Sequence, residues 1–156
     1  MAGTPQDYPY RICGLSVILV GFTGMHEDGD VTIHRINRLH SLIARDVALR
    51  NGWLRGEEVE FLRHYLGLTY TEFYQLLSRG SVDNPEIFDK SHGRSELLET
   101  SEVLLRRRVL MQVQLDSIPT KEETFAMIRG FRGNPPTLQI DASHPENYRV
   151  IEAVAA

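Results

Sequence analysis

The chain has 156 residues, 42% of them hydrophobic and 24% charged; that length holds one domain or two small ones, and that balance excludes an intrinsically disordered polymer. The net charge of −4 provides no global attraction to a polyanion, so any nucleic-acid surface has to be local. A single cysteine, Cys13, excludes an internal disulfide framework and a Cys-rich zinc module.

In chain order, residues 1–7 read as a loose terminus, and the acid and two prolines before Tyr10 are unlike a secretory leader. Tyr8 to Ile12 and Leu15 to Phe22 are rich in β-branched and aromatic residues and read as a strand bulged at Gly14. Leu15 to Phe22 is also the longest apolar run, far short of the roughly 18–20 residues that cross a bilayer, so no membrane association is expected. Asp28-Gly29 is a hairpin signal, with Val31 to Ile33 as the returning strand. His26, Glu27, Asp28 and Asp30 read as a solvated acidic turn rather than a metal site, because structural zinc prefers sulfur and nitrogen ligands. From about Ile33 to Arg50, the spacing of Ile36, Leu39, Ile43 and Val47 predicts a helix with one buried face, stopped at Asn51-Gly52. His34 and His40 are expected at the surface or half-buried, and Trp53 over the following helix junction. Cys13 is expected in the core.

Residues 54–77, LRGEEVEFLRHYLGLTYTEFYQLL, carry two short amphipathic helices. Val59, Phe61, Leu62, Tyr65 and Leu66 form the first apolar stripe. Gly67 stands where a helix ends in the left-handed region. Thr69 to Glu72 reads as a capping box, and Phe73, Leu76 and Leu77 follow as the second stripe. Two helices joined by about three residues form the first half of a helix-turn-helix.

The pattern Leu54, Gly56, Glu58, Val59, Phe61-Leu62-Arg63, Leu66-Gly67-Leu68-Thr69, Glu72-Phe73 resembles, in order and without gaps, the helix-turn-helix of Xre-like regulators of the MqsA/YgiT antitoxin type. The resemblance is strong over about two dozen residues and extends weakly from about Tyr8 to about Arg108. It implies a dimeric DNA-binding regulator. It also implies a phosphate-facing role for Thr69, Tyr70 and Thr71, with Tyr70 standing where such proteins often carry a glutamine. The chain departs from the pattern in three places. The zinc-holding Cys-x-x-Cys pair is missing, Tyr74 replaces a small residue, and residues 78–94 are long and lack the terminal Trp-Glu, with Phe88-Asp89 near its place.

Asn84 and Pro85 are suited to open a short helix from Pro85 to Ser91, the expected recognition helix, with Arg79, Lys90, Ser91 and Arg94 nearest the DNA. Residues 55–94 hold five bases against seven acids. The bases gather near that helix and the acids precede it, so the balance weakens the electrostatic argument without removing it. A protein-interaction module with a degenerate helix-turn-helix, binding a toxin or another protein, is the competing expectation.

Ser95 to about Leu115 predicts the longest remaining helix, whose Arg106-Arg107-Arg108 run reads as a solvated face or, alternatively, a phosphate clamp. Thr120 to Glu123 is a second capping box, opening a helix that ends at Gly130. Thr137 to Ile140 and Tyr148 to Ile151 read as short strands whose edges offer a route to dimerisation. No nucleophile elbow, phosphate-binding glycine loop, dinucleotide fingerprint or HExxH pair is present. These patterns predict a mainly α (α+β) chain: an N-terminal β-hairpin plus helix over 1–52, a helix-turn-helix domain over 53–115, and a helix and strand extension over 116–156. The function expected is a cytoplasmic, non-enzymatic homodimer that needs no cofactor, with double-stranded promoter or operator DNA and a protein toxin as partners.

Overall fold

A computed structural model describes residues 3–78, 99–130 and 137–151. Tyr8, Tyr10 and Ile12 at alternate positions, and the apolar run from Leu15 to Phe22, build two antiparallel strands, β1 (Gln6–Ile12) and β2 (Leu15–Phe22). The turn between them is Cys13-Gly14, with φ of 51° and 81°. Two successive left-handed residues match the right-handed twist of a hairpin, so the chain reverses here instead of bulging. Cys13 is consequently a half-buried turn residue and not a core one. The expected returning strand at Val31 to Ile33 is reduced to an isolated bridge between Met25 and Val31.

Helix α1 (Ile36–Ala48) follows, buried along Leu39, Ile43 and Val47. Ile36 lies outside that stripe and is exposed. Next come α2 (Gly56–Leu66), α3 (Tyr70–Ser78), α4 (Glu99–Gln112) and α5 (Lys121–Arg129), then the strands β3 (Leu138–Asp141) and β4 (Arg149–Ile151). The architecture is thus α+β, with five helices and a four-stranded sheet among the described residues. The strands run in the order β1-β2-β3-β4, and β2 pairs with β3 in parallel, Val17 opposite Leu138 and Leu19 opposite Ile140. A parallel pair cannot be closed by a tight turn, and every helix lies in sequence between these two strands.

The chain divides into two compact units, Met1–Leu42 with Asn134–Ala156, and Ile43–Gly133. In the first, the sheet buries Leu15, Val17, Leu19, Phe22 and Ile140. The Tyr10 hydroxyl pairs with His40 Nε2 at 2.7 Å, Arg38 donates to the Glu146 carbonyl at 2.9 Å, and the Tyr148 hydroxyl donates to the His34 carbonyl at 2.5 Å.

The second unit is helical. Its apolar core includes Leu54, Phe61, Leu62, Phe73, Leu77, Leu105, Val109, Leu110 and Ile128. Trp53 is not part of it, being 47% exposed. The inner face of α4 also carries charge: Ser101, Glu102 and Arg106 are buried beside Leu105 and Val109. Each of these polar side chains satisfies backbone groups near the end of another helix, where four N–H or C=O groups lack an intrahelical partner. Ser101 Oγ donates to the Leu77 carbonyl in the last turn of α3 at 3.1 Å. Glu102 Oε1 accepts the Leu54 N–H, just ahead of α2, at 2.7 Å. Arg106 donates to the carbonyls of Ala48, Arg50 and Gly52, where α1 ends and the chain turns. Arg106 and Glu102 lie one turn apart, 3.7 Å between Nη2 and Oε2, at 0% and 2% side-chain exposure. Arg106 is therefore neither solvated nor available to phosphate. A second buried carboxylate, Glu58, accepts from Arg50 at 2.6 Å and from the Arg55 N–H at the start of α2 at 2.7 Å.

Removing one member of a fully buried ion pair leaves its partner charged and desolvated. Arg106→Met additionally strips three carbonyls of a donor. It is expected to cost about 3–5 kcal/mol, and the Arg106→Met/Glu102→Gln pair should recover part of that loss. Urea denaturation of the two variants checks this, and a single variant within about 0.5 kcal/mol of the parent would show that the network adds no stability.

Candidate nucleic-acid interface

The α2–α3 corner is built from a turn of three residues, Gly67-Leu68-Thr69. Gly67 has φ 70°, a conformation that costs glycine no Cβ clash. The Leu68 N–H then reaches back to the Arg63 carbonyl at 3.3 Å and the Gly67 N–H to the His64 carbonyl at 3.0 Å, closing α2. On the far side, the Glu72 N–H donates to Thr69 Oγ1 at 3.2 Å, and the Thr69 N–H donates to Glu72 Oε1 at 3.0 Å. The capping box read from the sequence is formed in both directions. The same pairing occurs at α5, between Thr120 and Glu123.

Arg63 holds the turn from within. Its guanidinium donates to the Leu68 carbonyl at 2.6 Å and to Glu60 at 2.5 Å, and lies over the Tyr70 ring, 4.2 Å from its centroid. The Tyr70 hydroxyl donates to the same Glu60 oxygen at 2.9 Å. Glu60 is thus the common acceptor of the corner. Its hydrogen bond is the main reason the Arg63 pKa is raised.

Of the residues expected at DNA, Thr69, Tyr70 and Thr71 are exposed and lie together at the first turn of α3. The Thr69 hydroxyl is engaged in the cap and the Tyr70 hydroxyl on Glu60, while Thr71 stands outward. Arg79, Lys90, Ser91 and Arg94, with the expected helix from Pro85 to Ser91, lie outside the described residues. Sequence reasoning did not find Glu60 or Arg63 as partners of Tyr70. The available signal was their i, i+3 spacing on α2, which places acid and base on one helix face. Tyr74 occupies the position where a small residue was expected. It points out of the core at 38% exposure, so no splaying of the helices is needed to hold it.

His26 pairs with Thr32 Oγ1 at 2.8 Å, and Asp28 accepts the Asp30 N–H at 3.0 Å, so the acidic turn is tied by local hydrogen bonds. Among the described residues, no group of three His, Cys, Asp or Glu side chains is placed to hold a metal ion. Among the described residues, no helix is long and apolar enough to cross a membrane. No protein-family model, curated protein or solved structure matches the chain.

The Glu72 pKa is lowered from its ordinary 4.5, chiefly by the Thr69 backbone N–H. A depressed carboxyl contributes stability above its unfolded pKa and loses it as pH falls through the lower folded value. The stability difference between the parent and Glu72→Gln should therefore be present at neutral pH and vanish on acidification. Thr69→Ala should cost about 1 kcal/mol at neutral pH through loss of the cap. Chemical-denaturation midpoints at the two pH values check both, and a midpoint unmoved by Thr69→Ala contradicts the capping assignment.

Proposed function

We propose that the chain is a DNA-binding transcriptional regulator of the Xre-like, MqsA/YgiT antitoxin type, acting as a cytoplasmic homodimer on a promoter or operator. The observation that carries this reading is the α2–α3 corner. Gly67 is left-handed and Thr69 and Glu72 are reciprocally capped, in the same register as the sequence pattern that resembles that family. In this mechanism, α3 lies across the sugar–phosphate backbone and presents its first turn, Thr69 to Thr71, to a phosphate. The expected helix from Pro85 to Ser91 enters the major groove, with Arg79, Lys90, Ser91 and Arg94 nearest the DNA. The sheet edges, β1 and β4, provide strands for pairing two copies.

A protein-contact reading is favoured by a separate observation. Tyr70 and Tyr74, one helical turn apart on α3, are 46% and 38% exposed. The cation beside Tyr70 is already paired with Glu60. Exposed tyrosines flanked by neutralised charge suit a protein partner, such as a toxin, better than a phosphate backbone.

Binding of the purified protein to DNA from upstream of its own gene, against a random fragment, at two salt concentrations separates the readings. The regulator is expected to prefer its own fragment and to lose affinity as salt rises. Charge reversal at Arg79, Lys90 and Arg94 together should abolish that binding without moving the melting temperature. Weak binding that is equal on both fragments would instead support the protein-contact reading.

A further inference from the structure

We propose that a groove between α3, α4 and α5 binds a small anionic amphiphile, a soluble monocarboxylate with a medium-chain or aromatic apolar body. This inference does not depend on the DNA-binding reading.

The Arg106-Arg107-Arg108 run divides on folding. Arg106 turns into the core, while Arg107 and Arg108 face the groove together with Leu104 and Met111. Those four residues recur at the i, i+3, i+4, i+7 spacing of one helix face. From α3, Leu76 and Glu72 line the opposite wall, and from α5, Phe125 and Lys121. The space measures about 680 Å³, inside the roughly 300–1,000 Å³ of small-molecule sites.

Its lining combines two properties. The floor is apolar, from Leu76, Leu104 and Phe125, with Met111 exposed at the rim. Its charge is cationic, with Arg107, Arg108 and Lys121 against one carboxylate, Glu72, which is itself committed to the Thr69 N–H. None of the three cations forms an ion pair among the described residues. A carboxylate beside the Arg107 and Arg108 guanidinium groups, with its apolar body over Leu104 and Phe125, matches both the charge and the floor of the groove, and charge-assisted pairing with a guanidinium supplies the selectivity.

Decanoate, below its micelle concentration, is the probe. Titrations followed by calorimetry and by backbone amide shifts compare it with acetate, which has the head alone, and with decyltrimethylammonium, which has the same tail and the opposite charge. Decanoate is expected to bind one-to-one with shifts centred on Leu76, Leu104, Met111 and Phe125, and both comparison compounds at least about tenfold more weakly. Arg107→Met should weaken decanoate binding about tenfold or more. Met111→Glu, at a rim position that is 55% exposed, should weaken it as well by repelling the head group. Equal binding of decyltrimethylammonium, no saturable binding of decanoate, or affinity unchanged in both variants would overturn the proposal.

Discussion

The guanidinium of Arg106 sits at the centre of the helical unit and takes up the carbonyls of Ala48, Arg50 and Gly52. Those carbonyls belong to the frayed end of α1 and the turn after it, where no helix can supply donors. A fixed, permanently charged, multi-donor group is well suited to the task, because its planar fork reaches several acceptors with little rotameric freedom lost. The negative end of the α1 dipole favours a cation at the same place. Glu102, one turn earlier on α4, balances the charge and fixes the Leu54 N–H. Together with Ser101 on the Leu77 carbonyl, these side chains bring an end of α1, the approach to α2 and the last turn of α3 onto one helix. The Gly52 N–H, bonded to the Met127 carbonyl at 2.7 Å, adds α5 to the same loop.

Other features of the unit depend on that arrangement. Glu58 and Arg50 extend the buried polar chain into the first turn of α2, which sets where α2 begins. From there the apolar stripe of α2 fixes its rotation, and Gly67 with Thr69 redirects the chain into α3. The corner that carries Tyr70 and Thr71 is therefore held on both sides. It is anchored at the base by α4 and stiffened at the tip by Arg63, which ties Leu68, Glu60 and the Tyr70 ring to one another. Since Arg106 is committed to the interior, Arg107 and Arg108 on the next faces of the same turn are directed to the groove. The core, the α2–α3 corner and the groove all follow from how α4 is rotated.

How much of this was legible in the sequence differed by element. The capped helices were read closely because their signals are local: Thr69 with Glu72, Gly67, and Thr120 with Glu123 each act within a single turn. The last two strands were found within a residue or two, from alternation and flanking prolines. The N-terminal hairpin was expected, but its turn was placed at Asp28-Gly29 and not at Cys13-Gly14, because Cys13, and not the asparagine, aspartate or glycine usual at that position, takes the first left-handed place of its turn. On α4 the hydrophobic pattern was misleading. Two charged residues, Glu102 and Arg106, lie on its buried face, so polarity no longer distinguishes inside from outside, and the basic run looked like surface. Nothing local in the sequence shows that an arginine will meet three carbonyls more than fifty positions away. The candidate interface was legible only in part for a related reason. Thr69 to Thr71 were placed by local rules, whereas the engagement of Tyr70 by Glu60 required the relative placement of two helices.

The amide of Leu54 reports most directly on whether the polar face of α4 holds the helical unit together. Its N–H is buried against Glu102 and lies outside any regular helix. Native-state hydrogen exchange, resolved by residue, should show this proton exchanging as slowly as the best-protected amides of α2 and α4, through opening of the whole unit. If it exchanged as quickly as the exposed amides of residues 27–30, Glu102 and Arg106 would be passengers in the core, and the account of how α4 positions its neighbours would be wrong.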